Sequence, residues 1–444
     1  MIAGAYMKWL KSQALLLGFC VSIQAANGFS VSVTYGPNEL WSLSRGSLLR
    51  YQITSNKVTS CDTLHSKANG FAYYPAINFA GAKVAFYRWG TPSTIAVVDL
   101  TTKVVTNLCN LPVPPAREMG LDWMTDDWIY YVIPQGPTDP NGDPEVRENV
   151  DIWRVNAVTK VNEKYVYIND GRNPMPDIPS GWGPMFPAFI RRFSVSLDGT
   201  RAGIQGVNWG WNCNACFCFP PPGGNVNSTG CPLGTGGMSA SCNISLSCSG
   251  GYCAGYFAGW HDNMMMGKLP GANGPAITNL QLNTIESWLG QDVGQGAELI
   301  RWAANSDKWV LQQIAWSGLS VDQGSNQVIA NWVDHQAIRT SQNSSSSHLS
   351  NCTGDFWVDG GAANAGKYEG ADGVWRTVNV AGTRSSGIPD NKRSNAADGS
   401  KLSRLILENR PIAGDGMAYS IRGQRIGNDR IRNTGIIFIM GQWH

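Results

Sequence analysis

The chain has 444 residues, a formal net charge of +2, and charged side chains at 15% of its positions. So even a balance, with no concentrated basic face, excludes a nucleic-acid-binding surface. The length exceeds what one small core can organise, which leaves one repeat-built domain or two domains.

The N-terminus comes first. Lys8 and Lys11 precede a short apolar stretch from Ala14 to Ile23, and Gln24-Ala25-Ala26 offers small residues for cleavage. That order predicts a secretory signal peptide over residues 1–26, with the mature chain extracellular or at the cell surface. The apolar stretch is too short to span a bilayer, and nothing downstream is long enough, so no membrane span is expected. Of eleven cysteines, ten remain after loss of Cys20. An even number in an exported chain predicts disulfides among Cys61, Cys109, Cys213, Cys216, Cys218, Cys231, Cys242, Cys248, Cys253 and Cys352. Cys61 and Cys109 stand apart from the rest and are candidates to pair.

From residue 27 onward one pattern recurs: an apolar strand, a polar Gly or Asp turn, a second apolar strand, and later a third strand ending in Trp/Val-Asp. The clearest copy runs from Tyr74 through Phe79 and Gly81 to Trp89, then Thr94 to Asp99. Gly120–Val132 with Asp151–Asn156 repeats it. So do Phe193–Ile204, and Leu299–Leu311 with Gln327–Asp334. Period-two alternation broken by turn residues reads as β-hairpins. One such sheet cannot bury both its faces, whereas several stacked around an axis can. The expected fold is therefore all-β, a β-propeller over residues 27–360. Six blades are expected, with seven or a pair of β-sandwiches as alternatives. Ser196-Leu197-Asp198-Gly199-Thr200-Arg201-Ala202 resembles the turn of TolB-like propeller repeats, although Leu197 stands where they carry proline. Asp151–Val155 and Asp355–Asp359 resemble their Ile-Trp-Val strands.

Irregular spacing between copies implies insertions. Residues 134–150 are rich in Pro and Gly, and there Asp139, Asn141, Asp143 and Glu145 alternate oxygen-bearing side chains around a glycine. Calcium takes such hard oxygen ligands from a loop, so this is a candidate calcium site, without the full twelve-residue loop. Residues 206–250 hold most of the cysteines and few large apolar side chains, which predicts a disulfide-stapled insertion. Its Cys213, Cys216 and Cys218 also invite zinc, but an oxidising compartment favours disulfides. Residues 361–400 read as a linker. Residues 401–444 carry two short apolar strands and resemble a type IX secretion sorting tail, with Ser420 in place of the usual Asp. Secretion machinery would then be a partner. Without sorting, the destination is the periplasm.

No nucleophile elbow, zinc-protease helix or phosphate loop is present. Trp182, Trp209 and Trp211 lie in or beside insertions, where exposed rings could stack on sugars. Trp260, His261 and Asp262, and His335 at a strand end, are further candidates for a ligand pocket or for plain turns. The leading expectation is a binding module for a glycan or an extracellular protein. The alternative is a polysaccharide hydrolase or lyase, which needs Asp122, His261, Asp262 and His335 on one face. A third possibility is a structural surface component.

Overall fold

The alternating segments form antiparallel ladders. The computed structural model describes residues 25–35, 46–112, 120–123, 127–134, 150–167, 189–208, 211–218, 232–234, 241–257, 263–290, 297–314, 326–340, 350–378, 417–419, 425–426 and 438–440. Chain order gives β1 (Gly28–Tyr35), β2 (Ser47–Thr54) and β3 (Lys57–His65) to a first sheet. A second sheet holds β4 (Phe71–Ile77), β5 (Lys83–Trp89), β6 (Thr94–Asp99) and β7 (Val105–Asn110). A third holds β8 (Leu121–Trp123), β9 (Trp128–Pro134), β10 (Val150–Asn156) and β11 (Asn162–Tyr167). The fourth comprises β12 (Phe189–Val195), β13 (Arg201–Asn208), β14 (Trp211–Cys218) and β15 (Pro232–Gly234). The fifth comprises β16 (Ser241–Leu246), β17 (Tyr252–Phe257), β18 (Asn263–Lys268) and β19 (Leu280–Gln281), followed by helix α1 (Leu282–Leu289). The sixth comprises β20 (Ala297–Trp302), β21 (Trp309–Ile314), β22 (Asn326–Asn331) and β23 (Gln336–Arg339). Finally β24 (Ser350–Val358) returns to the first sheet, giving the order β24-β1-β2-β3.

These six four-stranded sheets close on themselves. The first strand of each touches the first strand of the next: β24 meets β4, then β8, β12, β16, β20 and β24 again. Sheets arranged radially about a central axis in this way are a β-propeller. Closure is non-covalent: β24 pairs antiparallel with β1, Gly28 opposite Val358 and Phe29 opposite Trp357, so the two ends of the repeat region share one sheet.

Stacking buries both faces of the inner strands and leaves the outer strands largely exposed. Every residue from Thr94 to Val98 in β6 is buried, because each face of a middle strand meets a neighbouring sheet. Outer β7 buries Leu108 alone. Trp123, Trp302 and Trp309 are buried packing residues, as their strand positions suggest. Trp357 stacks on Phe29 at 5.6 Å and its indole Nε1 donates to the Phe79 carbonyl. Gly81, at φ 67°, lies under that indole where any Cβ would collide with the ring.

Two turn types recur. Between the first and second strands, Gly81, Gly199 and Gly250 take the left-handed conformation and donate their N–H to the carbonyls of Asn78, Ser196 and Ser247. Between the outer two strands, Asp99, Asn156 and Asn331 each accept two backbone N–H groups with one side-chain oxygen. Lys103, Lys160 and His335 then take positive φ. This is the physical reason for the recurrent polar strand ending: the side chain caps the outer hairpin.

Several expectations need correction. The segment 206–250 is not simply an insertion: β14 and β15 complete the fourth sheet, and β16 opens the fifth. Cys61 and Cys109 do not pair. They are free thiols on β3 and β7, the outer strands of different sheets. Cys248 and Cys253 are also thiols outside any disulfide among the described residues, and both are buried. Side-chain facts for Cys213, Cys216, Cys218, Cys231, Cys242 and Cys352 lie outside the described residues. The calcium candidates Asp139, Asn141, Asp143 and Glu145 lie outside them too.

Residues 361–400 are not all linker. A hairpin of β25 (Lys367–Glu369) and β26 (Trp375–Thr377) belongs to the same compact unit as the sheets, Met1–Ser386. Glu369 exchanges backbone bonds with Asn305 and Asp307 at the end of the sixth sheet's first strand, and its carboxylate meets Lys308 at 3.4 Å. A stretch rich in Gly and Ala read as flexible because its ordering partners lie sixty residues away in sequence. Gly387–His444 form a second unit, whose described part is a three-stranded sheet of β27 (Met417–Tyr419), β28 (Arg425–Ile426) and β29 (Phe438–Met440). Asp151–Val155 and Asp355–Asp359, alike in sequence, occupy different places: the first lies on β10, a third strand, and the second on and just past β24, an innermost one.

Candidate ligand-binding site

Five of the six innermost strands place a polar residue in the equivalent position, one residue before a buried hydrophobic one. Before the hydrophobic residues Trp123, Val195, Leu246, Trp302 and Phe356 stand Asp122, Ser194, Ser245, Arg301 and Asp355. Four of these link neighbouring sheets. Asp122 Oδ2 accepts from Val195 N at 2.9 Å, Ser194 Oγ from Leu246 N at 2.8 Å, and Ser245 Oγ from Trp302 N at 3.1 Å. Asp355 Oδ2 accepts from Ile77 N at 2.8 Å. Each bond satisfies a buried backbone donor that no strand partner reaches.

Arg301 breaks the series. Its guanidinium crosses the axis to the sheet opposite, where Nη2 donates to Asp122 Oδ1 at 3.0 Å and to the Leu121 carbonyl at 3.1 Å. Nη1 donates to the Pro75 carbonyl at 3.0 Å, and Nε lies 3.5 Å from Asp355 Oδ1. One cation thus ties together the first, second, third and sixth sheets. Burial raises both carboxyls, Asp355 to about 6, against the opposing pull of Arg301. Burial also works against the charge on Arg301, but the two carboxylates hold it above its ordinary range. The space left is a cavity of about 50 Å³, bordered by Tyr74, Ser194, Ser245 and Arg301. Each guanidinium nitrogen of Arg301 already faces a protein oxygen, so the chemistry of the cluster is closure.

Leu197 and Cys248 border that cavity and also the floor of a second, larger one. This vestibule, about 550 Å³, lies between the first turns of the fourth and fifth sheets and the β25–β26 hairpin. Its polar lining is Asp198, Ser249, Asn273, Tyr368, Arg376 and Thr377. The wall is rigidly built. Asp307 Oδ1 accepts from the Cys248 thiol and from Ser249 N, both at 3.1 Å. Burial raises both the Asp307 carboxyl and the Cys248 thiol, which is therefore a structural donor and not a nucleophile. Lys308, between Asp334 and Glu369, anchors the hairpin.

The residues read from sequence fare unevenly. Asp122 is at the axis. His335 is in the outer turn of the sixth sheet, stacked on Trp288 of α1 at 5.1 Å. These two do not share a face, so the carboxylate–histidine convergence needed for hydrolysis is absent between them. Trp182, Trp209, Trp260, His261 and Asp262 lie outside the described residues, as does the side chain of Trp211. Sequence reasoning missed Arg301, Asp355 as a site residue, Tyr368 and Arg376. One signal was available: Ser194 and Ser245 each stand five residues before a turn glycine, Gly199 and Gly250.

No protein-family model and no curated protein matches the sequence. Among solved structures, the chain is similar to TolB from Acinetobacter baumannii at 10% identity and TM-score 0.46, covering 74% of this chain and 66% of TolB. A chain of a nidogen/laminin complex matches at 8% identity and TM-score 0.44, over 75% of this chain and 98% of that one. A prolyl endopeptidase matches at 12% identity and TM-score 0.35, over 71% of this chain but only 50% of that enzyme. These likenesses lie at the level of sheet arrangement; the propeller assignment itself rests on the closed ring of first strands.

Proposed function

We propose that this chain is a six-bladed propeller acting as an extracellular binding module, taking a glycan or a protein at the mouth lined by the first turns and the β25–β26 hairpin. The vestibule carries this reading: a concave site of small-molecule size, with an apolar floor and several convergent polar groups, on a rigid scaffold. Propellers host many activities, so function is argued from this site and not from the fold. Export through residues 1–26 is part of the proposal.

The test is a screen of the full chain against immobilised glycans and extracellular proteins, repeated with Thr377→Trp. Thr377 is exposed on the vestibule's lip, so the larger ring fills the space without entering the core. Loss of binding in this variant supports the site. A ligand held equally well by both chains overturns it.

A further inference from the structure

The charged groups of the vestibule are already engaged: Arg376 in an ion pair, Asp198 in hydrogen bonds to neutral groups. Asp198 accepts from Ser196 Oγ at 2.6 Å, from Thr200 N at 3.0 Å, and from Thr200 Oγ1 with both carboxylate oxygens. Arg376 Nη1 donates to Asp372 Oδ1 at 2.7 Å and to the Val374 carbonyl at 3.0 Å, and Nη2 donates to Asp372 Oδ2. These bonds hold Asp372 down at about 2, so the pair persists across the physiological range.

The uncommitted groups are neutral. The Tyr368 hydroxyl, the Asn273 side-chain amide and the Thr377 hydroxyl form no hydrogen bond with the described residues. Ser249 is committed: its Oγ accepts from Gly251 N at 3.0 Å and its hydroxyl donates toward the Asp307 carboxyl. Hydroxyls and amides both give and accept, so they match a ligand that does the same. An incoming anion would face Asp198 with no unpaired cation to receive it. An incoming cation would face Arg376, and the one carboxylate without a cation, Asp198, already has both oxygens engaged by Ser196 and Thr200. The apolar floor of Leu197, Cys248 and Val378 offers contact to C–H surface.

Resting on the vestibule reading above, we infer that this cavity binds a neutral polyhydroxylated ligand of the size of a mono- or disaccharide. Tyr368 and Asn273 are its principal hydrogen-bonding residues, and Arg376 paired with Asp372 is a wall.

The test uses the full chain and ligand-observed saturation-transfer NMR. Glucose, galactose, N-acetylglucosamine, maltose and lactose serve as neutral probes, with acetate, inorganic phosphate and putrescine as charged ones. At least one neutral sugar is expected to bind. Tyr368→Phe and Asn273→Ala, each removing a single uncommitted group, should weaken it about tenfold. His335→Ala, in the outer turn, should leave it unchanged. Circular dichroism confirms that each variant is folded. Binding of the charged probes alone, binding of no probe, or sugar binding indifferent to both vestibule variants overturns the inference. A protein ligand from the screen that is lost in Thr377→Trp, while no sugar binds, would overturn it and leave the binding-module proposal standing.

Discussion

Arg301→Met removes the cation that bridges Asp122 and Asp355 and keeps an unbranched apolar stem. Two carboxylates, Asp122 and Asp355, are then left facing each other in a largely buried site, and the carbonyls of Pro75 and Leu121 each lose a donor. Breaking a buried pair by removing one partner costs about 3–5 kcal/mol, chiefly because the remaining charge is uncompensated. At pH 7 the urea midpoint of the variant, followed by tryptophan fluorescence, should fall by that equivalent. The loss should shrink by about 1–2 kcal/mol at pH 5. Asp355 already lies near 6 with the guanidinium present and rises further without it, so acid neutralises the offending carboxyls. Adding Asp122→Asn and Asp355→Asn to the variant should return stability to within about 1 kcal/mol of the parent, since an uncharged axis has nothing to compensate. A loss under about 1 kcal/mol at pH 7, or one equally large at pH 5, would refute the reasoning.

Other outcomes follow from the same contacts. Because Asp355 is raised in the fold, it binds its proton more tightly folded than unfolded. Its contribution is fully present below about pH 4 and is lost as pH rises through about 6, by about 3 kcal/mol in all. Subtracting the urea stability of Asp355→Asn from that of the parent across pH 4–7 should show this downward slope, and a flat difference would contradict it. Gly354→Ala would place a Cβ 2.6 Å from the Val31 carbonyl and against the buried Gln327 side chain, so thermal unfolding should drop by several degrees. In the native chain, iodoacetamide should label the exposed Cys61 and spare the buried Cys248 and Cys253. Non-reducing peptide mapping should find no Cys61–Cys109 link. Lys308→Ala strips Glu369 of its cation, and hydrogen exchange should quicken in residues 367–377 while the axis stays protected.

The repeats were legible because a strand sandwiched between sheets needs apolar residues and a tight turn, and both leave a local pattern. Phe193–Ile204 and Leu299–Leu311 show it plainly. The strand-ending Asp99 and Asn156 were visible as a pattern, and the structure supplies their cause in the outer-turn caps. The strands at 206–250 were hidden, because Gly, Pro, Asn and Cys dominate a segment that nonetheless supplies β14, β15 and the start of β16. Arg301 was illegible for a different reason. Its partners lie from 54 to 226 positions away, on sheets brought together only by ring closure. Tyr368 and Arg376 were hidden in a segment whose composition reads as linker, because what orders it is Lys308 and the backbone of Asn305.

The mouth of the propeller is the place where a ligand is expected to be held. The most direct measurement is the ratio of dissociation constants, by isothermal titration, for a ligand from the screen with the parent chain and with Tyr368→Phe/Asn273→Ala. The expected ratio for a neutral sugar is on the order of a hundredfold, two hydrogen bonds at about tenfold each. A ratio near one, with both proteins folded and binding, would place the ligand elsewhere on the molecule and contradict the account.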